Sequence, residues 1–398
     1  MIELGPRQTV IVAILVLFLG KYLTSKIAFL REYNIPEPVS GGLIASILFG
    51  ILFGAFDLEF QFALGLRDTL LIMFFTTIGL SSKFSTLIQG GKPLLILLVV
   101  AVAYLFIQNF TGLAVAQVTG QPAEIGLLGG SVSLSGGHGT AIAWAPRFID
   151  QYGITNAMEV GIACATFGLI LGGVIGGPIA KFLITRYRLS PSHDRALTIG
   201  VPHERGETPI DYQHMLNVIL IISASIGAGL SLNALVGGWG LNLPDFVACL
   251  FAGILVTNLG PLVFRRVHWP ERSKSLALIS DLSLGLFLAM SLMSLQLWTL
   301  AGLGGSILLL LVAQVVVITL FVVFVVFRLM GRDYDAAVMS AGYAGLVLGA
   351  TPTAIANMTA VTEKFGASAK AFVVVPLVGA FFIDIANALI IQFLLDTI

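Results

Sequence analysis

Two long uncharged runs, Leu94 to Val118 and Gly305 to Phe327, constrain this chain more than any other feature. An α-helix rises 1.5 Å per residue and crosses about 30 Å of hydrocarbon in roughly 20 residues, so each run is long enough to span a bilayer. A soluble core of this hydrophobicity would need charged faces between such runs. They are missing: only 11% of the 398 residues are Asp, Glu, Lys or Arg, against about 25% in soluble domains. The mean hydropathy of +0.98 agrees. The chain therefore reads as an all-α polytopic membrane protein whose solvent is the lipid bilayer. Its formal net charge of zero offers no basic field to nucleic acid. Cys164 and Cys249 lie in apolar segments without metal-ligand spacing and read as small packing residues. Arg7 and the apolar run Thr9 to Gly20 resemble a signal peptide. No small-x-small cleavage site follows, so this run is expected to stay as the first span.

An internal duplication organises the rest. Thr140-Ala-Ile-Ala143 recurs as Thr353-Ala-Ile-Ala356, an offset of 213 (353 − 140). The same register carries Asp68 onto Asp281 and Tyr152-Gly153 onto Phe365-Gly366. Spans are expected near 8–25, 39–56, 68–82, 94–119 and 158–184, then near 213–236, 244–260, 279–298, 306–328 and 371–395. Gly126 to Phe148 and Asp335 to Met358 are read as re-entrant. Five crossings per half is odd, so the fold class is two inverted-topology repeats of about five transmembrane helices, each with a re-entrant segment. The domains follow as residues 1–185 with an outer re-entrant loop, a cytoplasmic linker at 186–212, and residues 213–398 with an inner re-entrant loop. With both termini outside, 18 of the 21 basic residues fall on the inner side, as the positive-inside rule favours. Pro191, Pro202 and Pro209 mark the linker, whose histidines read as solvated and inert.

Two segments break the apolar pattern. The first is Ser131-Val-Ser-Leu-Ser-Gly-Gly-His-Gly-Thr140. Irregular backbone cannot face lipid, because unpaired peptide groups cost several kcal/mol each in hydrocarbon. Such a run must be shielded by protein or line a polar cavity. Ser133, Ser135 and Thr140, the glycines Gly136, Gly137 and Gly139, and the amides of a helix N-terminus suit an anionic carboxylate. His138 sits in the turn, where contact with substrate and shaping of the turn are both open. The second is Gly345 to Asn357, with Thr351, Pro352 and Thr353 at its centre. Pro352 is expected to free the carbonyl one turn back. That carbonyl, with Thr351, Thr353 and Asn357, offers the hard neutral oxygens that sodium prefers. The bland alternative, small-residue helix packing, needs neither hydroxyls nor histidine.

Intramembrane charges are rare and point to function. Asp384 lies near the middle of the last expected span, with Asn387 on the same face, and the two complete a sodium set. Asp68 and Asp281 are expected to cap their helices. Gln108, Asn109, Asn258 and Gln314 read as helix glue or path lining.

These motifs resemble the bacterial sodium/glutamate symporter family. The likeness covers nearly the whole chain and rests on Ile35-Pro-Glu-Pro-Val39, Leu134-Ser-Gly-Gly-His-Gly-Thr140, Cys164-Ala-Thr-Phe-Gly168, Leu348 to Met358 and Val375 to Asn387. It implies an inner-membrane symporter that imports L-glutamate with sodium as coupling ion, not an enzyme. It also implies two inverted five-span domains joined by a cytoplasmic connector. Substrate is assigned to Ser133, Ser135, Gly136, Gly137, His138, Gly139, Thr140, Thr351 and Thr353. Sodium is assigned to Thr351, Pro352, Thr353, Asn357, Asp384 and Asn387. The nearest rival is a sodium-coupled carrier of another carboxylate, such as aspartate or a di- or tricarboxylate. An intramembrane enzyme with Ser135 and His138 as nucleophile and base lacks an orienting acid and a separate oxyanion element, and a channel would not need two opposed broken segments. Residues 125–184 and 335–395 are expected to move together in an elevator-like cycle. The other spans would form a scaffold and a homodimer interface.

Overall fold

The computed structural model describes residues 2–32, 35–56, 58–83, 91–191, 212–237, 243–263, 269, 273–295 and 303–397. In chain order the helices are α1 Pro6–Lys26, α2 Glu37–Phe56, α3 Gly65–Ser81 and α4 Gly91–Val118. Next, α5 Ala123–Leu127 runs into a π-helical turn, Leu128–Val132, followed by α6 Gly137–Tyr152 and α7 Ala157–Tyr187. The second half holds α8 Tyr212–Gly237, α9 Asp245–Val263, α10 Lys274–Met293 and α11 Gly304–Phe321. It closes with α12 Tyr334–Leu348, α13 Thr351–Phe365, α14 Ala369–Leu377, a π turn at Val378–Phe382, and α15 Ile383–Leu395.

Among the described residues eight helices are long and apolar enough to cross a membrane. The chain is a multi-pass membrane protein. The expected third span, α3, has 17 residues, and the expected tenth is interrupted by the π turn between α14 and α15. Starting points in the two halves follow the duplication: α4 and α11 begin at 91 and 304, α6 and α13 at 137 and 351, and α7 and α14 at 157 and 369.

The expected caps are not caps. Helix α10 starts at Lys274, where Ser273 accepts a hydrogen bond from the Leu276 amide at 3.2 Å. Asp281 therefore lies two turns inside the helix and is exposed. Asp68 sits in the first turn of α3, whose N-cap is Leu64, and pairs with its neighbour Arg67 at 2.7 Å. A uniformly apolar pattern hides a helix start, and a serine three residues before the apolar stretch that opens at Leu276 serves better than the carboxylate within it.

The described chain forms two compact units, each drawing on both halves of the sequence. One contains α1–α3 and α8–α10. In it α1 and α2 cross backbone to backbone: a Cβ on Gly20 would lie 1.9 Å from the Glu37 carbonyl oxygen, so only glycine fits. Leu80, Val218, Ile221, Ile222, Leu276 and Ile279 form its apolar core. Polar side chains fasten helices where they pass, as where Thr77 donates to Ser280 at 2.9 Å and Ser46 to the Leu295 carbonyl at 2.8 Å.

The other unit contains α4–α7 and α11–α15. Its centre is α12, in which every residue from 336 to 348 is buried. A helix buried on all sides is enclosed by protein. The expected linker falls mostly on residues 192–211, outside the described residues.

Candidate functional site

The first broken segment begins where α5 loses its regular hydrogen bonding. Gly130 adopts φ −93°, ψ −132° inside the π turn, and the released peptide groups need new partners. Neighbouring helices supply side-chain amides. Asn109 of α4 donates to the Ser131 hydroxyl at 2.7 Å and accepts from the Ser131 amide at 3.0 Å. Asn387 of α15 donates to the Ser131 carbonyl at 2.9 Å. Gln314 of α11 donates to the carbonyls of Gln108, at 2.8 Å, and Gly129, at 3.4 Å. The chain then turns through Ser133–Gly136 and enters α6 at Gly137, whose φ of +69° is left-handed. Glycine reaches that region without the steric penalty of a Cβ.

The second break lies between α12 and α13. Gly349 (φ −142°, ψ −94°) and the extended Ala350 separate the helices. Pro352 occupies the first turn of α13. It removes no helical bond there, because an N–H at that position has no intrahelical partner. The expectation that proline frees a carbonyl is thus corrected: Gly349 and Ala350 end the helix. Among the carbonyls at the end of α12, Val347 accepts from Gln108 Nε2 at 2.9 Å and from the Ser135 hydroxyl at 3.3 Å.

The two breaks meet. A Cβ built on Gly137 would lie 3.8 Å from the Gly349 carbonyl oxygen. Ser135 also donates to Gln108 Oε1 at 2.5 Å, so one serine touches both α4 and the end of α12. Two helix N-termini, at Gly137 and Thr351, open beside this junction, and each carries the partial positive charge that favours an anion.

Each residue named from the sequence can be placed. Ser133 is fully buried, and its hydroxyl has no hydrogen-bond partner among the described residues. Thr140 lies against Gly136. Gly139 is half-buried. His138 bonds through Nε2 to the Thr166 hydroxyl of α7 at 3.0 Å. Thr166 gives its only hydrogen to the Ile162 carbonyl at 2.8 Å, so His138 Nε2 is the donor in this pair. Thr353 is buried near Gly349, its hydroxyl also without a partner among the described residues. Thr351 sits by Gly379, and Pro352 is exposed. Asn357 donates to Gly172 of α7 at 2.9 Å and to Ala341 at 3.3 Å, which pins α13 between two helices. Asn387 reaches the first break, and its Oδ1 has no donor among the described residues. Asp384, half-buried one turn earlier in α15, forms no hydrogen bond or ion pair among the described residues.

The structure thus gathers the first-segment residues, Thr353 and Asn387 around the junction, while Asn357 turns its amide toward α7. Ser131, Thr166 and Val347 lie within the motifs quoted from the sequence, which gave them no individual role. Sequence reasoning singled out Gln108, Asn109 and Gln314 without learning their targets. In chemical terms the junction offers hydroxyls, carbonyls, amide oxygens and one imidazole. Hydroxyls and helix N-termini are chemically suited to a carboxylate, and neutral oxygens to a hard monovalent cation.

Comparison with known proteins agrees in length and kind. The family model described as "Sodium/glutamate symporter" matches residues 2–367. A curated sodium/glutamate symporter of Escherichia coli (strain K12) is 43% identical over 404 residues, covering 98% of both chains. That of Haemophilus influenzae (strain Rd) is 44% identical over 389 residues, covering 97% of this chain and 96% of its own.

Proposed function

The chain belongs to the sodium/glutamate symporter family, a family of transporters and not of enzymes, and on that premise we propose that it imports L-glutamate together with sodium by alternating access. The observation that carries this reading is the meeting of two broken segments at Gly137 and Gly349 inside one compact unit. Substrate and coupling ions in transporters lie where discontinuous helices converge near the bilayer midplane.

The substrate carboxylates bind the first segment, through Ser133, Ser135, the amides from Gly136 to Thr140, and His138, with Thr351 and Thr353 opposite. Sodium binds through Thr353, Asn387 and Asp384. Thr351, Asn357 and the carbonyls beside Pro352 stay in the set read from the sequence. The buried Oδ1 of Asn387 and hydroxyl of Thr353, neither with a partner among the described residues, support this placement. A buried acceptor without a donor is costly, and a cation relieves it. Asp384 neutralises the ion's charge from the same helix.

The two halves are inverted repeats and the two broken segments re-entrant, one from each side. The protein lies in the bacterial inner membrane, both termini are periplasmic, and the connector is cytoplasmic. The unit of α4–α7 and α11–α15 moves as one body, elevator-like, and the other unit forms the scaffold of a homodimer. Its core is residues 125–184 and 335–395, and the clustering of α4 and α11 with them supports counting those two helices in the same body.

Competition decides the substrate. Uptake of labelled L-glutamate into proteoliposomes should be blocked by unlabelled L-glutamate at lower concentration than by L-aspartate, glutarate or citrate. Stronger competition from a di- or tricarboxylate would assign the chain to the carboxylate-carrier alternative.

A further inference from the structure

The Ser135 hydroxyl has one hydrogen, and two oxygens share it: Gln108 Oε1 at 2.5 Å and the Val347 carbonyl at 3.3 Å. The Gln108 amide cannot turn away. Its Nε2 donates to the same Val347 carbonyl at 2.9 Å, and a flip would set two acceptors against each other. Its backbone is held in turn, the Gln108 carbonyl accepting from Gln314 Nε2 at 2.8 Å. Gln108 and Val347 are fully shielded, and Ser135 is 9% exposed. Two hard, neutral, buried oxygens therefore converge on the place of a single hydrogen. They come from α4 and α12, and the hydrogen from the first broken segment.

We propose that Gln108 Oε1 and the Val347 carbonyl form a monovalent-cation half-site that the Ser135 hydroxyl keeps closed, and that substrate and sodium are coupled by exchange of this one hydrogen. The inference rests on the reading that Ser135 donates to a substrate carboxylate. When the carboxylate takes the hydrogen, Oε1 loses its only donor among the described residues and Val347 loses one of two. An acceptor stripped of its donor in a buried site is destabilised. A sodium ion, which takes oxygen ligands, relieves both oxygens at once. The coupling is reciprocal: an ion in the half-site turns the hydroxyl outward, so each ligand tightens the other by the same factor. Neither Gln108 nor Val347 belongs to the sodium set read from the sequence, so this half-site is additional to Asp384 and Asn387.

The test is made on the full-length protein in lipid nanodiscs, without glutamate. Sodium chloride is exchanged for choline chloride at constant ionic strength, and thermal stability reports binding. Ser135→Ala removes the competing donor and should lower the half-saturating sodium concentration about 3- to 10-fold, the range of a typical net hydrogen bond. Ser135→Thr restores a hydroxyl and should return the sodium dependence toward that of the unmodified protein. Gln108→Leu removes an ion ligand and should raise half-saturation about 10-fold or more. A purely structural serine would weaken sodium binding on truncation, so unchanged or weaker binding in Ser135→Ala overturns the half-site. Titrating glutamate at saturating sodium separates the two claims. If Ser135→Ala tightens sodium yet leaves glutamate affinity unchanged, the half-site stands and the substrate role of Ser135 falls.

Discussion

Replacing Gly137 with alanine isolates one property of the first break, its backbone conformation. The residue has φ +69° and opens α6 beside the second break. A Cβ there would meet nothing nearer than the Gly349 carbonyl oxygen at 3.8 Å, an ordinary van der Waals contact. The cost is therefore conformational, about 1–2 kcal/mol for an L-residue in the left-handed region. At about 1.4 kcal/mol per factor of ten, that is a 5- to 30-fold loss of the binding-competent loop, in round terms. The expected result is a rise of about that factor in the half-saturating concentration for sodium-driven uptake of labelled glutamate. Gly137→Asn should recover part of the loss, since asparagine tolerates positive φ better than alanine. A melting curve on the same preparations checks that the fold is intact. Wild-type uptake by Gly137→Ala would show that left-handed backbone is irrelevant to the binding state. Equal losses above about 100-fold for alanine and asparagine would mean that contact, not conformation, governs the site.

Asp384→Asn nearly preserves volume and removes a charge, and should raise the half-saturating sodium concentration about 10-fold or more, or abolish uptake; an unchanged sodium curve would move the ion away from α15. Asn109→Ala strips Ser131 of two buried hydrogen bonds and should destabilise the protein by about 2–4 kcal/mol, seen as a lower unfolding midpoint with or without glutamate. Cysteines at Ser135 and Thr351 should react with impermeant maleimide from opposite sides of the membrane, and labelling of both from one side alone would refute the inverted pair of re-entrant segments.

How far the sequence carried the fold depended on what each element advertises. Long uncharged runs such as 94–118 announce themselves, and α4 and α11 were found within three residues of their expected starts. Helix starts inside apolar sequence do not, so α10 begins at Lys274, ahead of its expected start near 279, and Asp281 lies inside it and not at its cap. The π turns at Leu128–Val132 and Val378–Phe382 carry no composition of their own and were read as parts of longer segments. The Gly-rich breaks were visible because serine, glycine and proline are conspicuous in hydrocarbon. Their neighbours were not. Gln108 reaches Val347, 239 residues along the chain, while the adjacent Asn109 points to Ser131. Two consecutive amides facing different partners leave no periodicity to read. The grouping of α4 and α11 with the broken segments is likewise a matter of packing, which a division into sequence halves cannot express.

The central claim is sodium-coupled movement of glutamate, and one measurement addresses it most directly. Protein reconstituted into proteoliposomes is given labelled L-glutamate outside, with sodium outside only or with equal sodium on both sides. Accumulation inside above the external concentration, present only with the inward sodium gradient and collapsed by a sodium ionophore, is the predicted result. Uptake of equal rate and extent in both conditions would contradict the account.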